Sequence, residues 1–240
     1  FALHLAGESA AKVSLVAHSM GGLVSRAALA RAPQIKGADK VERLIMLGTP
    51  NYGSFVPTQA LRGTYPVIRK VALVDLRHSP EQLTELVFNT FPGLYQMLPA
   101  PEKFTRFDLF NPQNWPSAGP QPRAALLDVG KNAQSLLAPP DERMVLVAGI
   151  NQDTATDLAR EGGQFVYAMS KAGDGTVPLA FAQLPKVPTY FIEEAHGSLP
   201  NNATVAAAVR DLLTAGKTQA LPTQWTPSRA AAVLTLDEDA

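Results

Sequence analysis

The sequence predicts an α/β fold in which a mostly parallel sheet is flanked by helices. An aliphatic strand pattern, a sharp turn and a helix pattern follow one another over residues 12–32. A second strand pattern over residues 41–47 completes a βαβ unit, which requires parallel strands. Two further apolar strands are predicted over residues 143–150 and 189–193. The carboxyl ends of parallel strands meet at one edge of the sheet, where sites of open α/β sheets form.

The composition is that of an ordinary globular chain and excludes several function classes. The 240 residues are 46% hydrophobic and include 21 basic and 21 acidic side chains. The sequence contains no basic run, so it offers no source of nucleic-acid affinity. With 0 Cys, the chain has neither disulfides nor thiolate metal sites. No apolar run approaches the ~20 residues of a membrane-spanning helix, and the sequence predicts no compartment.

Residues 15–22 read Leu-Val-Ala-His-Ser-Met-Gly-Gly and predict a serine on a tight turn between strand and helix. The small residues Ala17 and Gly21 leave room for a sharply bent backbone that exposes the Ser19 hydroxyl. The helix beyond the turn, over residues 23–32, directs its positive end at the same place, and the amide of Met20 can point at an oxyanion. The alternative is that Ser19 is an ordinary helix N-cap.

Two further residues complete a catalytic triad with Ser19. Asp174 lies between glycines on a loop after a predicted strand, and His196 follows the last predicted strand. A serine hydroxyl needs an imidazole to take its proton, and the imidazole needs a carboxylate to orient it. By itself Asp174 is also a good turn residue, and a lone His196 is more often a surface or core histidine. The chain order Ser, Asp, His at the ends of strands favours the triad.

The sheet pattern disappears between residues 55 and 140, and helical patterns appear over residues 65–76, 80–89 and 123–137. A stretch this long between two strands predicts an inserted helical cap or lid. Its larger apolar side chains line an acyl pocket or, alternatively, form the core of the cap itself: Phe88, Phe91, Tyr95, Met97, Phe104, Phe107, Phe110 and Trp115.

The predicted domains are an α/β core over residues 1–54 and 141–214, a helical cap over residues 55–140, and a tail or linker over residues 215–240. The remaining predicted elements are a turn region over residues 151–163, a strand over residues 164–170 and a closing helix over residues 203–214. The four histidines lack a metal-ligand spacing such as His-x-x-x-His, so a zinc hydrolase is not favoured and no cofactor is expected.

These motifs resemble the α/β-hydrolase superfamily, in particular its lipase branch close to the lecithin:cholesterol acyltransferase-like proteins. The resemblance is carried by Ala-His-Ser-Met-Gly-Gly at residues 17–22, Leu-Gly-Thr-Pro-Asn-Tyr-Gly-Ser at 47–54, Pro-Gly-Leu-Tyr-Gln-Met-Leu-Pro at 92–99, Gly-Asp-Gly-Thr-Val-Pro at 173–178 and His-Gly at 196–197. It implies a serine hydrolase or acyltransferase that acts on carboxylic esters, with lipids as the expected class, through an acyl-enzyme on Ser19. His196 is then the general base and Asp174 orients it.

The remaining site assignments follow from the same resemblance. Met20 is expected in the oxyanion hole, and substrate binding is assigned to His18, Tyr52, Tyr95 and Met97. The expected partners are an ester substrate and, through the cap, a lipid surface in transient contact. Two alternatives remain open: an amidase or thioesterase with the same triad, and an inactive hydrolase-fold domain that serves as an interaction module.

The front of the hydrolase fold is absent from this sequence, because the strands that normally precede the nucleophile turn have no counterpart. The strand over residues 12–17 is then expected at a sheet edge, which natural proteins cover. We expect an upstream segment of a longer polypeptide to add parallel strands there and to bring a second oxyanion amide next to Met20.

Overall fold

A computed structural model of the chain describes residues 11–75, 77–226 and the strand at 234–237. The chain divides into two compact units. We call the first the sheet unit, which comprises Phe1–Asn51, Leu136–Thr154 and Lys171–Ala231. We call the second the inserted unit, which comprises Tyr52–Ser135, Ala155–Ser170 and Ala232–Ala240.

The strands are, in chain order, β1 Val13–His18, β2 Val41–Leu47, β3 Met144–Ile150, β4 Thr154–Glu161, β5 Gln164–Ser170, β6 Thr189–Glu193 and β7 Leu234–Asp237. The helices are α1 Met20–Ala30, α2 Val56–Arg62, α3 Pro66–Val74, α4 Pro80–Leu86, α5 Pro92–Gln96, α6 Ala124–Lys131, α7 Leu179–Ala182 and α8 Ala203–Ala215. Short 3-10 turns lie at Ala38–Lys40, Phe88–Thr90, Pro112–Asn114, Gln134–Leu136 and His196–Asn201. The predicted bounds of β2, β5 and β6 are confirmed.

The sheet unit is built on four strands in the order β1-β2-β3-β6. All three neighbouring pairs are parallel, which confirms the predicted parallel sheet. Every residue of β3 is buried, as expected for an apolar strand covered on both faces of a parallel sheet. Within the described residues β1 is an edge strand, and its Val16 is 47% exposed.

Helix α8 covers one face of this sheet and completes an apolar cluster there. The cluster contains buried residues of β2, β3, β6 and α8 together with neighbours from the chain on either side of α8: Ile45, Leu47, Val145, Val147, Tyr190, Leu199, Val205, Ala208, Leu212 and Leu221. Asn202 caps α8, because its side-chain oxygen accepts hydrogen bonds from the amides of Thr204 and Val205. Helix α1 contacts β1 and β2.

The segment after α8 differs from the predicted linker. Leu221 is buried in the cluster described above, and the amide of Phe191 in β6 donates to the carbonyl of Pro222 at 2.9 Å. Trp225 packs against a second cluster that includes Phe191. Residues 216–226 therefore belong to the sheet unit, because their few apolar side chains are spaced along an extended chain that covers β6. Residues 227–233 and 238–240 of the predicted tail, like residues 1–10, lie outside the described residues.

The inserted unit contains helices α2 to α6 and a second sheet with the order β4-β5-β7. Strand β4 corrects the predicted turn region over residues 151–163. Its buried residues are Thr154, Ala155 and Leu158, so only one large apolar side chain marks the strand, while Asp157 is half-buried and pairs with Arg106. The β4 and β5 strands also lie in the inserted unit, whereas the sequence placed them in the α/β core.

Among the described residues, no helix combines the length and the apolar character that crossing a membrane requires.

Several charged side chains of the inserted unit form exposed pairs, such as Arg106 with Asp157 and Lys131 with Asp108. Exposed pairs of this kind contribute little to stability, so the inserted unit depends on its apolar clusters. One such cluster joins α2, α3 and α4 through Ala60, Ile68 and Leu83.

Candidate active site

Ser19 lies alone between β1 and α1 in a strained backbone conformation. Its φ of 54° and ψ of −128° fall in a region that residues with a side chain rarely adopt. The turn is fixed because the Ser19 amide donates to the carbonyl of Leu47 in β2 at 2.9 Å. Ser19 makes no side-chain capping hydrogen bond with α1, which argues against the alternative of an ordinary N-cap. Its hydroxyl is instead free to face the neighbouring loops.

The glycine that this turn requires is Gly22 rather than Gly21. A Cβ at Gly21 would lie 3.7 Å from the Cβ of Ala17, an ordinary contact distance. A Cβ at Gly22 would overlap the side chain of Thr49, the second residue after β2. The first turn of α1 thus packs directly on the loop that follows the neighbouring strand, and only glycine fits at the contact.

Ser19, His196 and Asp174 form a continuous chain of hydrogen bonds. The Oγ of Ser19 lies 2.8 Å from Nε2 of His196, and Nδ1 of His196 lies 2.8 Å from Oδ2 of Asp174. A carboxylate only accepts hydrogen bonds, so Nδ1 carries the proton and Nε2 is left to accept from the serine hydroxyl. The structure therefore brings together the three residues predicted as a triad, in the tautomer that a general base needs.

Asp174 is 2% exposed and its second oxygen is also engaged. Oδ1 accepts hydrogen bonds from the main-chain amides of Thr176 at 3.0 Å and Val177 at 2.7 Å. The main-chain carbonyl of Asp174 in turn accepts from the amide of His196 at 2.8 Å. The carboxylate is thus held from both sides, which fixes the direction in which it presents Oδ2 to His196.

The loop that carries Asp174 is anchored to the end of β3, although the chain enters it from β5. Asp174 forms a parallel bridge with Gln152, and the amide of Gln152 donates to the carbonyl of Gly173 at 3.1 Å. Strand β5 belongs to the other sheet. Asp174 does follow the predicted strand over residues 164–170, but that strand lies outside the parallel sheet, and main-chain pairing beyond β3 places the residue at the sheet edge.

Two glycines leave space for the Asp174 and His196 pair. Gly48 follows β2 with a φ of +56°, and a Cβ there would lie 3.0 Å from Oδ2 of Asp174 and 3.1 Å from Nδ1 of His196. A Cβ at Gly149 in β3 would lie 2.6 Å from the Cβ of Asp174. The roles of Gly48 and Gly149 in leaving this space were not predicted from the sequence. The Gly-Thr pair that follows β2 is the sequence feature that could have indicated the role of Gly48.

A carboxylate braces the loop that carries His196. Glu194 Oε2 accepts from the side-chain amide of Asn202 at 2.8 Å, and Oε1 accepts from the main-chain amide of Ala195 at 2.9 Å. The hydrogen bond from Asn202 and then that from Ala195 hold the pKa of Glu194 below its ordinary value. This brace spans the 3-10 turn His196–Asn201 and was not predicted from the sequence.

The other predicted site residues are placed as follows. Met20 begins α1, where main-chain amides have no partner within the helix, and its side chain is 48% exposed. The role of Met20 in an oxyanion hole stays a prediction.

His18, the last residue of β1, lies with its ring centroid 4.8 Å from that of His196. Within residues 11–75 and 77–226, no group of three or more His, Asp or Glu side chains could hold a metal ion.

Tyr52, Tyr95 and Met97 lie in the inserted unit. Tyr95 is 0% exposed; its hydroxyl donates to the carbonyl of Asn89 and accepts from the amide of Arg123, both at 2.9 Å. Burial raises the pKa of Tyr95. We therefore correct its assignment from substrate contact to core residue, because a fully buried ring with a satisfied hydroxyl has no surface left for a ligand.

Tyr52 and Met97 are half-buried, and their assignment to substrate binding stays a prediction. The ammonium group of Lys103 lies 4.6 Å from the ring centroid of Tyr52. Contact of the inserted unit with a lipid surface also stays a prediction. The large apolar side chains that this unit exposes on α3, α4 and the chain that follows them are Val67, Val71, Leu73, Val74, Leu86, Val87 and Phe91.

Comparison with known families gives one match in sequence. The family described as PGAP1-like alpha/beta domain matches residues 4–115, which is less than half of the chain and includes Ser19 and Gly48. Comparison with curated proteins gives no match. The family match and the parallel sheet confirm the α/β-hydrolase fold that the sequence predicts.

Solved structures are also similar. A chain of the Tle4-Tli4 complex has a TM-score of 0.53 at 15% identity, with 80% of this chain and 57% of that chain covered. The mature form of the Bacillus licheniformis lipase BlEst2 has a TM-score of 0.45 at 16% identity, with 87% of this chain and 67% of the lipase covered. Its propeptide form has a TM-score of 0.43 at 19% identity, with 93% and 39% covered. At these identities the likeness concerns the fold.

The first prediction concerns the space beside Gly48. Gly48→Ala should lower turnover about tenfold to a hundredfold, because the new Cβ displaces the imidazole of His196 from Ser19. Gly162→Ala is the matched control: Gly162 has a φ of +57°, and a Cβ there would meet nothing within 4 Å. Both variants should lose about 1 kcal/mol of stability from the left-handed backbone, and Gly48→Ala should lose more, because its Cβ would also lie 2.8 Å from Cδ1 of Leu199. Equal turnover in the two variants would contradict the steric role of Gly48.

The second prediction concerns the strain at Ser19. Ser19→Gly and Ser19→Ala both remove the hydroxyl, but only glycine adopts the positive φ without cost. In urea denaturation the glycine variant should therefore be about 1 kcal/mol more stable than the alanine variant. Equal free energies of unfolding would show that the backbone at Ser19 is not strained in solution.

Proposed function

We propose that this chain, which has the α/β-hydrolase fold, is a serine hydrolase of carboxylic esters. The observation that carries the proposal is the hydrogen-bond path from Ser19 through His196 to Asp174. A strained serine backbone at a strand-to-helix turn supports it independently, because backbone strain is concentrated at functional sites. The match to an alpha/beta domain family and the likeness to solved structures support the fold on which this site stands.

The first step of the proposed reaction is attack of Ser19 on the ester carbonyl. As Oγ bonds to the carbonyl carbon, its proton moves to Nε2 of His196, which is 2.8 Å away. The imidazolium that forms is stabilised by Asp174, which accepts from Nδ1. The negative charge moves to the former carbonyl oxygen, where the amide of Met20 at the start of α1 is our candidate donor.

The second step releases the alcohol and leaves the acyl group on Ser19. His196 returns its proton to the leaving oxygen as the carbon–oxygen bond breaks, so that the imidazole is neutral again. Water then attacks the acyl-enzyme with His196 as base and regenerates Ser19. An alcohol in place of this water would give acyl transfer, and we propose lipid esters as the substrate class in keeping with the lipase and acyltransferase resemblance.

The third prediction tests the triad by kinetics. The purified protein, expressed with the upstream segment that we expect to supply the second oxyanion amide, should hydrolyse p-nitrophenyl esters of graded acyl length. Ser19→Ala and His196→Ala should each lower kcat by about a thousandfold or more, and Asp174→Asn by somewhat less, because triad members act as a unit.

Matched substrates separate the proposal from its alternatives. An acyl anilide and a thioester of the same chain length test for an amidase or thioesterase, and the ester should be the fastest of the three. Full activity in Ser19→Ala would contradict the triad. A folded wild-type chain with no turnover above that of Ser19→Ala would instead favour the inactive interaction domain. Circular dichroism of each variant verifies that the fold is retained.

A further inference from the structure

His18, the residue before the proposed nucleophile, makes a hydrogen bond that the triad does not explain. Its Nε2 atom lies 2.9 Å from the main-chain carbonyl oxygen of His196. A carbonyl can only accept, so Nε2 of His18 must carry the proton and donate it. The two rings are tilted by 41° at a centroid distance of 4.8 Å. The polar edge of His18 is thus directed at His196 and is engaged there.

With this bond, His196 is held at four atoms. Its amide donates to the main-chain carbonyl of Asp174, and Nδ1 faces the Asp174 carboxylate. Its Nε2 faces Ser19, and its carbonyl accepts from His18. Because His18 and Ser19 are adjacent, the nucleophile turn contacts both the side chain and the main chain of His196. Any shift of the His196 main chain relative to β1 must therefore break the bond to His18.

The chain next to His196 indicates why the hydrogen bond from His18 matters for the position of His196. His196 begins a 3-10 turn directly after Ala195, and a Cβ at the following Gly197 would meet nothing within 4 Å. Gly197 therefore adds no side-chain packing next to His196, and the Glu194 brace acts on Ala195 and Asn202 rather than on the main chain of His196 itself. Proton transfer tolerates little displacement: misplacement by about 1 Å costs up to about a hundredfold in rate.

We propose that His18 is a positioning residue, which fixes the main chain of His196 so that its imidazole stays within reach of Ser19. This inference rests on the proposed function and replaces the expectation that His18 binds substrate. The donor nitrogen of His18 is already used by the carbonyl of His196. A substrate contact through the same atom would have to break the bond.

Two substitutions separate the hydrogen bond from the ring. His18→Gln places an amide donor near the position of Nε2, whereas His18→Phe keeps the ring and removes the donor. We expect His18→Phe to lower kcat on p-nitrophenyl acetate about tenfold to a hundredfold with KM unchanged. His18→Gln should recover most of this loss. His78→Phe is the control, because His78 pairs with Asp75 on the inserted unit, outside the proposed triad, and should leave kcat unchanged.

The substrate-binding alternative gives a different pattern. If His18 contacts substrate, both variants should raise KM or change the preference for acyl length, while kcat on the acetate stays at the wild-type value. That result would overturn the proposal. If His18→Phe does not fold, His18→Asn replaces it, since the shorter asparagine amide does not reach the carbonyl of His196; equal kcat in the Asn and Gln variants would likewise overturn it.

A readout independent of activity distinguishes failure of this inference from failure of the proposed function. The proton on Nδ1 of His196, donated to Asp174, should give a hydrogen-bonded proton resonance at low field. In His18→Phe this proton should exchange faster with water, and in His18→Gln it should exchange at nearly the wild-type rate. Unchanged exchange in His18→Phe would overturn the positioning role. Complete lack of ester hydrolysis with the expected exchange pattern would overturn only the proposed function.

Discussion

The proposed site depends on one steric constraint: the Asp174 and His196 pair lies directly against the main chain at the ends of two parallel strands. Gly48 after β2 and Gly149 in β3 have no side chain, and a Cβ at either position would collide with Asp174 or crowd it. The carboxyl ends of parallel strands bring distant parts of the chain to one edge. The proposed site has room there because these two positions carry no side chain.

The loops that carry Ser19 and Asp174 are each tied to the parallel sheet by main-chain hydrogen bonds. The sheet therefore fixes the positions of these two side chains. Ser19 is tied to Leu47 of β2, and the Asp174 loop is tied to Gln152 beyond β3. Behind the loops, the buried guanidinium of Arg26 in α1 donates to the side chain of Asn51 and to the carbonyl of Ala138. Buried polar networks of this kind are expensive to leave unsatisfied, and they keep connected segments in one arrangement.

Much of the sheet unit could be predicted because its signals are local. Strands β2 and β6 are apolar runs bounded by turns, and the serine turn has a short motif. Strand β4 was missed because only Leu158 provides a large inward side chain. The anchoring of Asp174 to β3 was missed for a different reason: chain order assigns the loop to β5, and only the tertiary pairing with Gln152 reveals its true support.

We propose that Ser19 is a nucleophile activated by His196, which lies 2.8 Å from its hydroxyl. A fluorophosphonate reacts with a serine only when its hydroxyl is activated, and the adduct can be mapped to a single peptide by mass spectrometry. We expect one phosphonyl group on Ser19 of the native chain and none on the His196→Ala variant over the same reaction time. An adduct on a different residue, or a native Ser19 that stays unmodified, would contradict it.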